Sequence, residues 1–316
     1  MEYNKMNTNI IENIARLATI SKQPILSFIN IAKGDLNRAI RTDHYMHVYE
    51  LLKHITTDKI GFVLNTRGGY SADAFMIATL LRTHVEDIHG YVPFEAYSGG
   101  TLIIAACNEI TMSKYAKLGP LDAQLYTPGK DFLSDRALSS GLDALLDYYL
   151  RAIEKIQPFV SSSTQDKLTP MDDLKVSAEI ASRLIDAIIE KPSHAEIGIS
   201  SRANKSIQDY LSRILSSNPI YFDDDRQDLN QDRISSIVNR LTTSYSEHSF
   251  VITPEEAEEI GLPVFTAEPK EQEILDNITQ AIKDLSEDLL FTVDPQSKLV
   301  YIIENGFLGG YNLKDL

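Results

Sequence analysis

Tyr97-Ser98-Gly99-Gly100-Thr101-Leu102-Ile103-Ile104-Ala105-Ala106-Cys107-Asn108 is the stretch on which the reading of this chain turns. The residues Tyr91 to Tyr97 predict a strand, Ser98-Gly99-Gly100 a turn, and the apolar run that follows a helix to about Asn108. A serine at a strand-to-helix turn exposes its hydroxyl, and the first residues of the helix carry N–H groups with no intrahelical acceptor. Acyl transfer needs that combination of a nucleophile beside donors for a developing oxyanion. A plain helix cap is the other meaning of the same pattern.

The unit before it has the same grammar. Ile60-Gly61-Phe62-Val63-Leu64 is apolar without alternation, as in a strand covered on both faces. It runs into Asn65-Thr66-Arg67-Gly68-Gly69-Tyr70 and then a helix from Ser71, the expected N-cap, to about Thr83. A third strand, Glu109-Ile110-Thr111-Met112, leads to Leu118-Gly119-Pro120-Leu121-Asp122. Repeated strand–turn–helix units predict a parallel, right-handed α/β arrangement. The pairs Gly68-Gly69 and Gly99-Gly100 suit turns where backbone must approach a substrate closely. Outward from this centre, residues 1–21 predict a helical arm, Pro24 to Ile29 a strand, and Asp43 to Ile55 a helix. Several helices are expected between about Leu142 and Leu241, with a short strand at Phe250-Val251-Ile252 and a helix from Pro254 to Ile260 that stops at Gly261. Residues 269–316 predict a separate helix and β-hairpin, leaving 22–268 as the main domain.

Composition narrows the function. The formal net charge of −15 over 316 residues argues against a nucleic-acid groove, which needs clustered Lys and Arg. Cys107 is the only cysteine, so no intrachain disulfide can form, and its apolar setting suits a buried thiol. No apolar run is long enough for a membrane span and the N-terminus has no signal-peptide core, so a cytoplasmic location is expected. His44, His47 and His54 beside Asp43 and Glu50 lack a second ligand cluster and are not read as a metal site, and the run Asp223-Asp224-Asp225 reads as a solvated surface turn. No metal and no cofactor is expected.

The segment from Tyr97 to Met112 resembles the nucleophile segment of the serine dehydrogenase proteinase family, related to signal peptide peptidase A and the Clp proteolytic subunit. Leu118-Gly119-Pro120-Leu121-Asp122-Ala123-Gln124 is similar to its Leu-Gly-Pro-x-Asp-Pro-Gln, and Asn65-Thr66-Arg67-Gly68-Gly69 to its His-Thr-Pro-Gly-Gly, departing at Asn65 and Arg67. His248-Ser249-Phe250-Val251-Ile252 and Gly261-Leu262-Pro263-Val264 resemble its closing elements, so the likeness spans about residues 40–265. It implies a ClpP/crotonase-like α/β spiral, Ser98 as nucleophile, and an oxyanion hole from the N–H groups of Gly69 and Gly99, with Gly68, Gly100, Asp122 and Arg151 supporting.

The general base is less plainly written. The histidine that follows the Clp serine by about two dozen residues would fall near Asp122 to Gln124, where there is none; beyond His89 the chain has only His194 and His248. Relatives with a Ser–Lys dyad place the lysine where this chain has Arg151, and arginine stays protonated. Lys155 lies one turn further along the same face. His248 falls where the resemblance puts the third Clp triad member. The expected function is hydrolysis of peptide bonds in a peptide or protein substrate by a homo-oligomer. A catalytically silent assembly or binding subunit, and an acyl-CoA-processing enzyme on the same fold, remain open.

Overall fold

The computed structural model describes residues 2–31, 39–122, 124–125, 133–163, 168–188, 194–222, 230–245, 247–304 and 306–315. They fall into two compact units, Met1–Asp122 with Lys205–Leu316, and Ala123–Asn204.

The first unit is built on an eight-stranded sheet in the order β12-β11-β10-β1-β2-β3-β5-β9. Its strands are β1 (Ile25–Ile29), β2 (Lys59–Asn65), β3 (Asp87–Val92), β5 (Glu109–Met112), β9 (Val264–Thr266), β10 (Leu289–Val293), β11 (Leu299–Glu304) and β12 (Phe307–Asn312). From β1 to β9 all pairings are parallel, and the register Ile29↔Asn65 and Val63↔Tyr91 brings the carboxyl ends of β1, β2 and β3 to one side. Every residue of β1 and all but the first of β2 are buried, which is why these strands are apolar without alternation. Three short helices belong to the repeated units: α2 (Thr42–Leu52), α3 (Ser71–His84) and α4 (Gly99–Ile104).

The terminal pieces are not separate. β10 pairs antiparallel with β1, from Ile25↔Val293 to Ile29↔Leu289, so the C-terminal strands continue the main sheet. The N-terminal helix α1 (Glu2–Ser21) and α10 (Pro269–Ile282) share one core, with Ile10, Ile14, Leu17, Ile274, Ile278 and Phe291 all fully buried. An arm at 1–21 and an element at 269–316 each had an apolar face that neither could cover alone. Strand β12, with almost every residue partly or fully exposed and two glycines in its middle, carried no strand pattern to read.

Other local differences have simple causes. The strand expected over Tyr91–Tyr97 is broken: β3 ends at Val92, and β4 (Glu95–Ala96) pairs instead with β6 (Lys117–Leu118). Pro93, which has no N–H to give a ladder, stands at the break. Ser71 is the first helical residue of α3 rather than its cap, which is Tyr70. The strand expected at Phe250-Val251-Ile252 reduces to one bridge between Ile252 and Leu118. The first unit is completed by α8 (Gln231–Thr243), α9 (Pro254–Ile260) and the end of α7 (His194–Ser217). In α9, Thr253 caps through Glu256 N–H and Gly261 closes the helix at φ 105°.

The second unit holds β7 (Gln124–Leu125), β8 (Leu133–Ser134) and the helices α5 (Asp135–Ser163) and α6 (Pro170–Ile188), which pack on one another. Buried Val160 and Ala181 lie on these helices, and Ser161 Oγ donates to Asp173 Oδ2 at 2.5 Å. Leu146, Tyr148, Leu150, Phe159 and Met171 leave apolar surface exposed on it.

Candidate active site

Ser98 sits where β4 turns into α4, at φ 49° and ψ −115°, a conformation L-residues rarely adopt. The turn is closed by Gly100 N–H on the Tyr97 carbonyl at 2.7 Å and Leu102 N–H on the Ser98 carbonyl at 3.2 Å. Backbone pairing lays the 66–69 loop alongside it: Thr66 N–H donates to Glu95 O at 2.8 Å and Tyr97 N–H to Thr66 O at 3.0 Å. The contact is close enough to demand glycine. A Cβ on Gly68, whose φ is +96°, would come within 2.6 Å of Tyr97 O and 2.9 Å of Ser98 Cβ. Gly100 stands against the Thr66 methyl in the same seam.

Gly69 lies opposite Ile40, whose N–H donates to Gly68 O and whose carbonyl accepts from Tyr70 N–H, both at 3.0 Å. In such a bridge the middle residue's own N–H points the other way. That way is toward Gly99, since a Cβ placed on Gly99 would stand 3.4 Å from the Gly69 nitrogen. Neither Gly69 N–H nor Gly99 N–H has a hydrogen-bond partner among the described residues. Two unused donors therefore lie close together beside the Ser98 turn.

His248 and Asp122 meet. His248 Nδ1 is 2.5 Å from Asp122 Oδ1, with the Asp122 side chain fully buried and the His248 side chain 24% exposed. A carboxylate only accepts, so Nδ1 carries the proton and Nε2 of a neutral imidazole keeps its lone pair. That is the tautomer a general base requires. Asp122 Oδ2 is buried with no partner among the described residues.

Thr101 joins this pair to the serine turn. Its fully buried hydroxyl lies 2.7 Å from the carbonyls of both Ala96 and Gly119, and accepts from Gly119 N–H at 3.2 Å. Thr101 stands three positions after Ser98, and Asp122 three positions after Gly119. The His248 side is tied to the same loop through Leu118 N–H to Ile252 O at 2.9 Å and Ile252 N–H to Leu118 O at 3.0 Å. The Ser98 hydroxyl itself makes no hydrogen bond among the described residues.

A family model described as ClpP-like SDH-type serine proteinase matches residues 3–187. The chain belongs to that family. Its strand–turn–helix sheet is accordingly a ClpP-like α/β fold, as the resemblance implied. Two uncharacterized proteins of Methanocaldococcus jannaschii are 32% identical over 175 residues and 28% identical over 164, covering 52% and 48% of this chain. The matches take in 57% and 53% of those relatives, so the chain spans little more than half the length of the curated proteins it matches. A mutant of a membrane-bound stomatin-specific protease superimposes with a TM-score of 0.40 at 14% identity, over 76% of this chain and 79% of the other.

The remaining residues singled out from sequence are placed as follows. Arg151 and Lys155 lie on α5 in the second unit, both exposed, with Arg151 Nε 2.9 Å from Asp147 Oδ2. Arg67 does not stand free: its Nε donates to Glu95 Oε1 at 3.0 Å, while Lys117 Nζ lies 3.4 Å from Glu95 Oε2. His44 is buried against Asp288, and His54 stacks on Tyr301 with ring centres 3.9 Å apart. Asp223, Asp224 and Asp225 lie outside the described residues. Among the described residues no group of three His, Cys, Asp or Glu side chains is set to hold a metal. Burial pushes the Cys107 thiol far above its ordinary range, so it stays protonated. No described helix is long and apolar enough to cross a membrane. Sequence reading missed Thr66 and Thr101, whose hydroxyls each join two segments of backbone or side chain through contacts that no periodicity reveals.

Proposed function

We propose that the chain is a serine peptidase in which Ser98 attacks a peptide carbonyl, His248 is the general base, and Asp122 orients it. His248 Nε2 takes the Ser98 hydroxyl proton as Oγ bonds to the carbonyl carbon. The carbonyl oxygen then carries the negative charge and accepts from the N–H groups of Gly69 and Gly99. The imidazolium, stabilised by Asp122, returns its proton to the leaving amine as the C–N bond breaks. Water, deprotonated by the same imidazole, hydrolyses the acyl-enzyme and regenerates Ser98.

The observation that carries this reading is the His248–Asp122 pair on the loop that Thr101 ties to the Ser98 turn. An imidazole with its Nδ1 proton committed to a buried carboxylate is placed to accept a proton at Nε2, whereas Lys155 is an exposed side chain on α5 in the second unit. The open Ser98 hydroxyl agrees with the general habit of catalytic hydrogen bonds to tighten only when substrate is bound.

Labelling by a fluorophosphonate probe tests it. Ser98→Ala should abolish labelling, and His248→Gln should slow ester or peptide turnover by about a hundredfold or more, with Lys155→Met close to the parent. Strong loss in Lys155→Met and none in His248→Gln would give the base to lysine. No labelling of the parent would favour a non-catalytic relative. The same reading has the peptidase working as a homo-oligomer, supported by the apolar side chains exposed on α5 and α6. Light scattering should then give a mass above the 35.4 kDa of one chain.

A further inference from the structure

The backbone groups of Thr66, Gly68 and Tyr70 in the 66–70 loop are all fastened. Gly68 N–H donates to Thr66 Oγ1 at 3.0 Å, while Gly68 O and Tyr70 N–H are both taken by Ile40. Only the Gly69 N–H, of the three successive amides, is left without a partner among the described residues. The fastenings lead away from the serine to a single side chain on the far strand connection. Thr66 Oγ1 donates to Asn30 Oδ1 at 2.9 Å, and Asn30 Nδ2 donates to Asp288 Oδ2 at 3.0 Å. From the Ile40 side, Arg41 N–H donates to His44 Nδ1 at 3.1 Å, which leaves the ring proton on Nε2, 3.0 Å from the same Asp288 Oδ2. Ile31 N–H holds the other oxygen, Asp288 Oδ1, at 2.7 Å. Asn30, His44 and Thr66 are 1%, 2% and 0% exposed.

A polar chain buried this deeply costs desolvation at each member and is retained only when every member is satisfied. Apolar side chains of the same size would pack these positions without that cost. We propose that Asp288 is a positioning residue: through Asn30 and Thr66 on one side, and through His44 and Ile40 on the other, it fixes the direction of the Gly69 N–H. The inference rests on the oxyanion role given to Gly69 above. It adds that the donor's aim is set from β10's connection rather than by the serine turn.

Asp288→Asn probes the anchor at constant size. Asp288 accepts from three donors, Ile31 N–H, Asn30 Nδ2 and His44 Nε2, and an amide has one oxygen to offer them. Thr66→Val removes the hydroxyl link nearer the loop, and Thr66→Ser restores it. The expected result is faster hydrogen exchange of the 66–70 amides in Asp288→Asn and Thr66→Val. Both should also show an acylation rate by the fluorophosphonate probe lower by about 10- to 100-fold, through kcat rather than KM for an ester substrate. Thr66→Ser should return to within about threefold of the parent, since its hydroxyl keeps both hydrogen bonds. Asp294→Asn serves as the comparison: it alters another well-bonded aspartate, in the turn after β10, and should leave acylation unchanged. Folded Asp288→Asn and Thr66→Val proteins with parental loop exchange and parental acylation would overturn the proposal. A parent that never reacts with the probe would instead overturn the peptidase reading, and loop exchange alone would then decide whether Asp288 is the anchor.

Discussion

Thr101→Val is the perturbation that most directly tests how this site is assembled. Valine keeps the shape of threonine, so the change removes one oxygen and little else. In the parent that oxygen accepts from Gly119 N–H at 3.2 Å and has the carbonyls of Ala96 and Gly119 at 2.7 Å, in a place with no solvent exposure. Without it Gly119 N–H is buried and unpaired, at about 1–3 kcal/mol. The hydroxyl has one proton, so only one carbonyl loses a full hydrogen bond, about 1 kcal/mol more. The sum of about 2–4 kcal/mol corresponds to a melting shift on the order of 10 °C for a unit of this size. Thr101→Ser keeps the oxygen and loses one buried methyl, about 1 kcal/mol. Thermal melts of the three proteins, with fluorophosphonate acylation measured well below the melting range, make the comparison. Acylation should fall in Thr101→Val beyond what unfolding explains, because the Gly119–Asp122 loop is no longer pinned to the serine turn. Equal stability of the valine and serine variants would refute the reasoning.

Other outcomes follow from particular contacts. Ser98→Gly should be more stable than Ser98→Ala by about 1 kcal/mol, because glycine accepts φ 49°, ψ −115° without strain; denaturant midpoints would show it. Gly119→Ala should destabilise by about 1–3 kcal/mol, since its Cβ would fall 2.1 Å from Tyr97 Cδ1 and push that ring off the loop. Burial alone would raise the Asp288 carboxyl, but hydrogen bonds from His44, Ile31 N–H and Asn30 outweigh it and hold the group below the usual carboxylate range. Its contribution to stability is therefore present above the ordinary carboxylate pKa and lost as the pH falls through the depressed value, so Asp288→Asn should flatten the acid limb of a stability–pH curve.

The parallel centre of the sheet was legible because β1, β2 and β5 are short apolar runs, nearly all buried, and β2 leads through a glycine pair into a helix. The two turns that carry Ser98, Gly69 and Gly99 were legible for a similar reason: glycine pairs that follow a strand and open a helix announce themselves locally. What escaped was carried by long-range pairing. Joining α1 to α10, and β10 to β1, depends on apolar faces more than 250 residues apart finding each other, and each face alone looks like any amphipathic element. Thr66, Thr101, Asn30 and Asp288 are polar residues whose partners lie in other elements, so no window of sequence contains both halves of their hydrogen bonds. The Asp122–His248 contact spans 126 positions and is of the same kind.

That separation bears on which part of the chain can be active. The family match ends at residue 187, so it contains Ser98, Gly69, Gly99 and Asp122 but not His248. The first unit is correspondingly discontinuous, resuming at Lys205 after the chain has formed the second unit. His248 reaches Asp122 only because the returning segment is threaded back onto the sheet, by β9 beside β5 and by the Leu118–Ile252 bridge. A fragment cut near residue 187 would keep Ser98, Gly69 and Gly99, the proposed nucleophile and oxyanion donors, yet lack β9, β10 and the His248 imidazole. Its Asp122 carboxylate would lose both the His248 hydrogen bond and the returning segment that pairs with its loop. On this reasoning the returning half of the first unit does more than complete the sheet: it carries both His248, the proposed base, and Asp288, the proposed anchor of the 66–70 loop, so the proposed mechanism requires it.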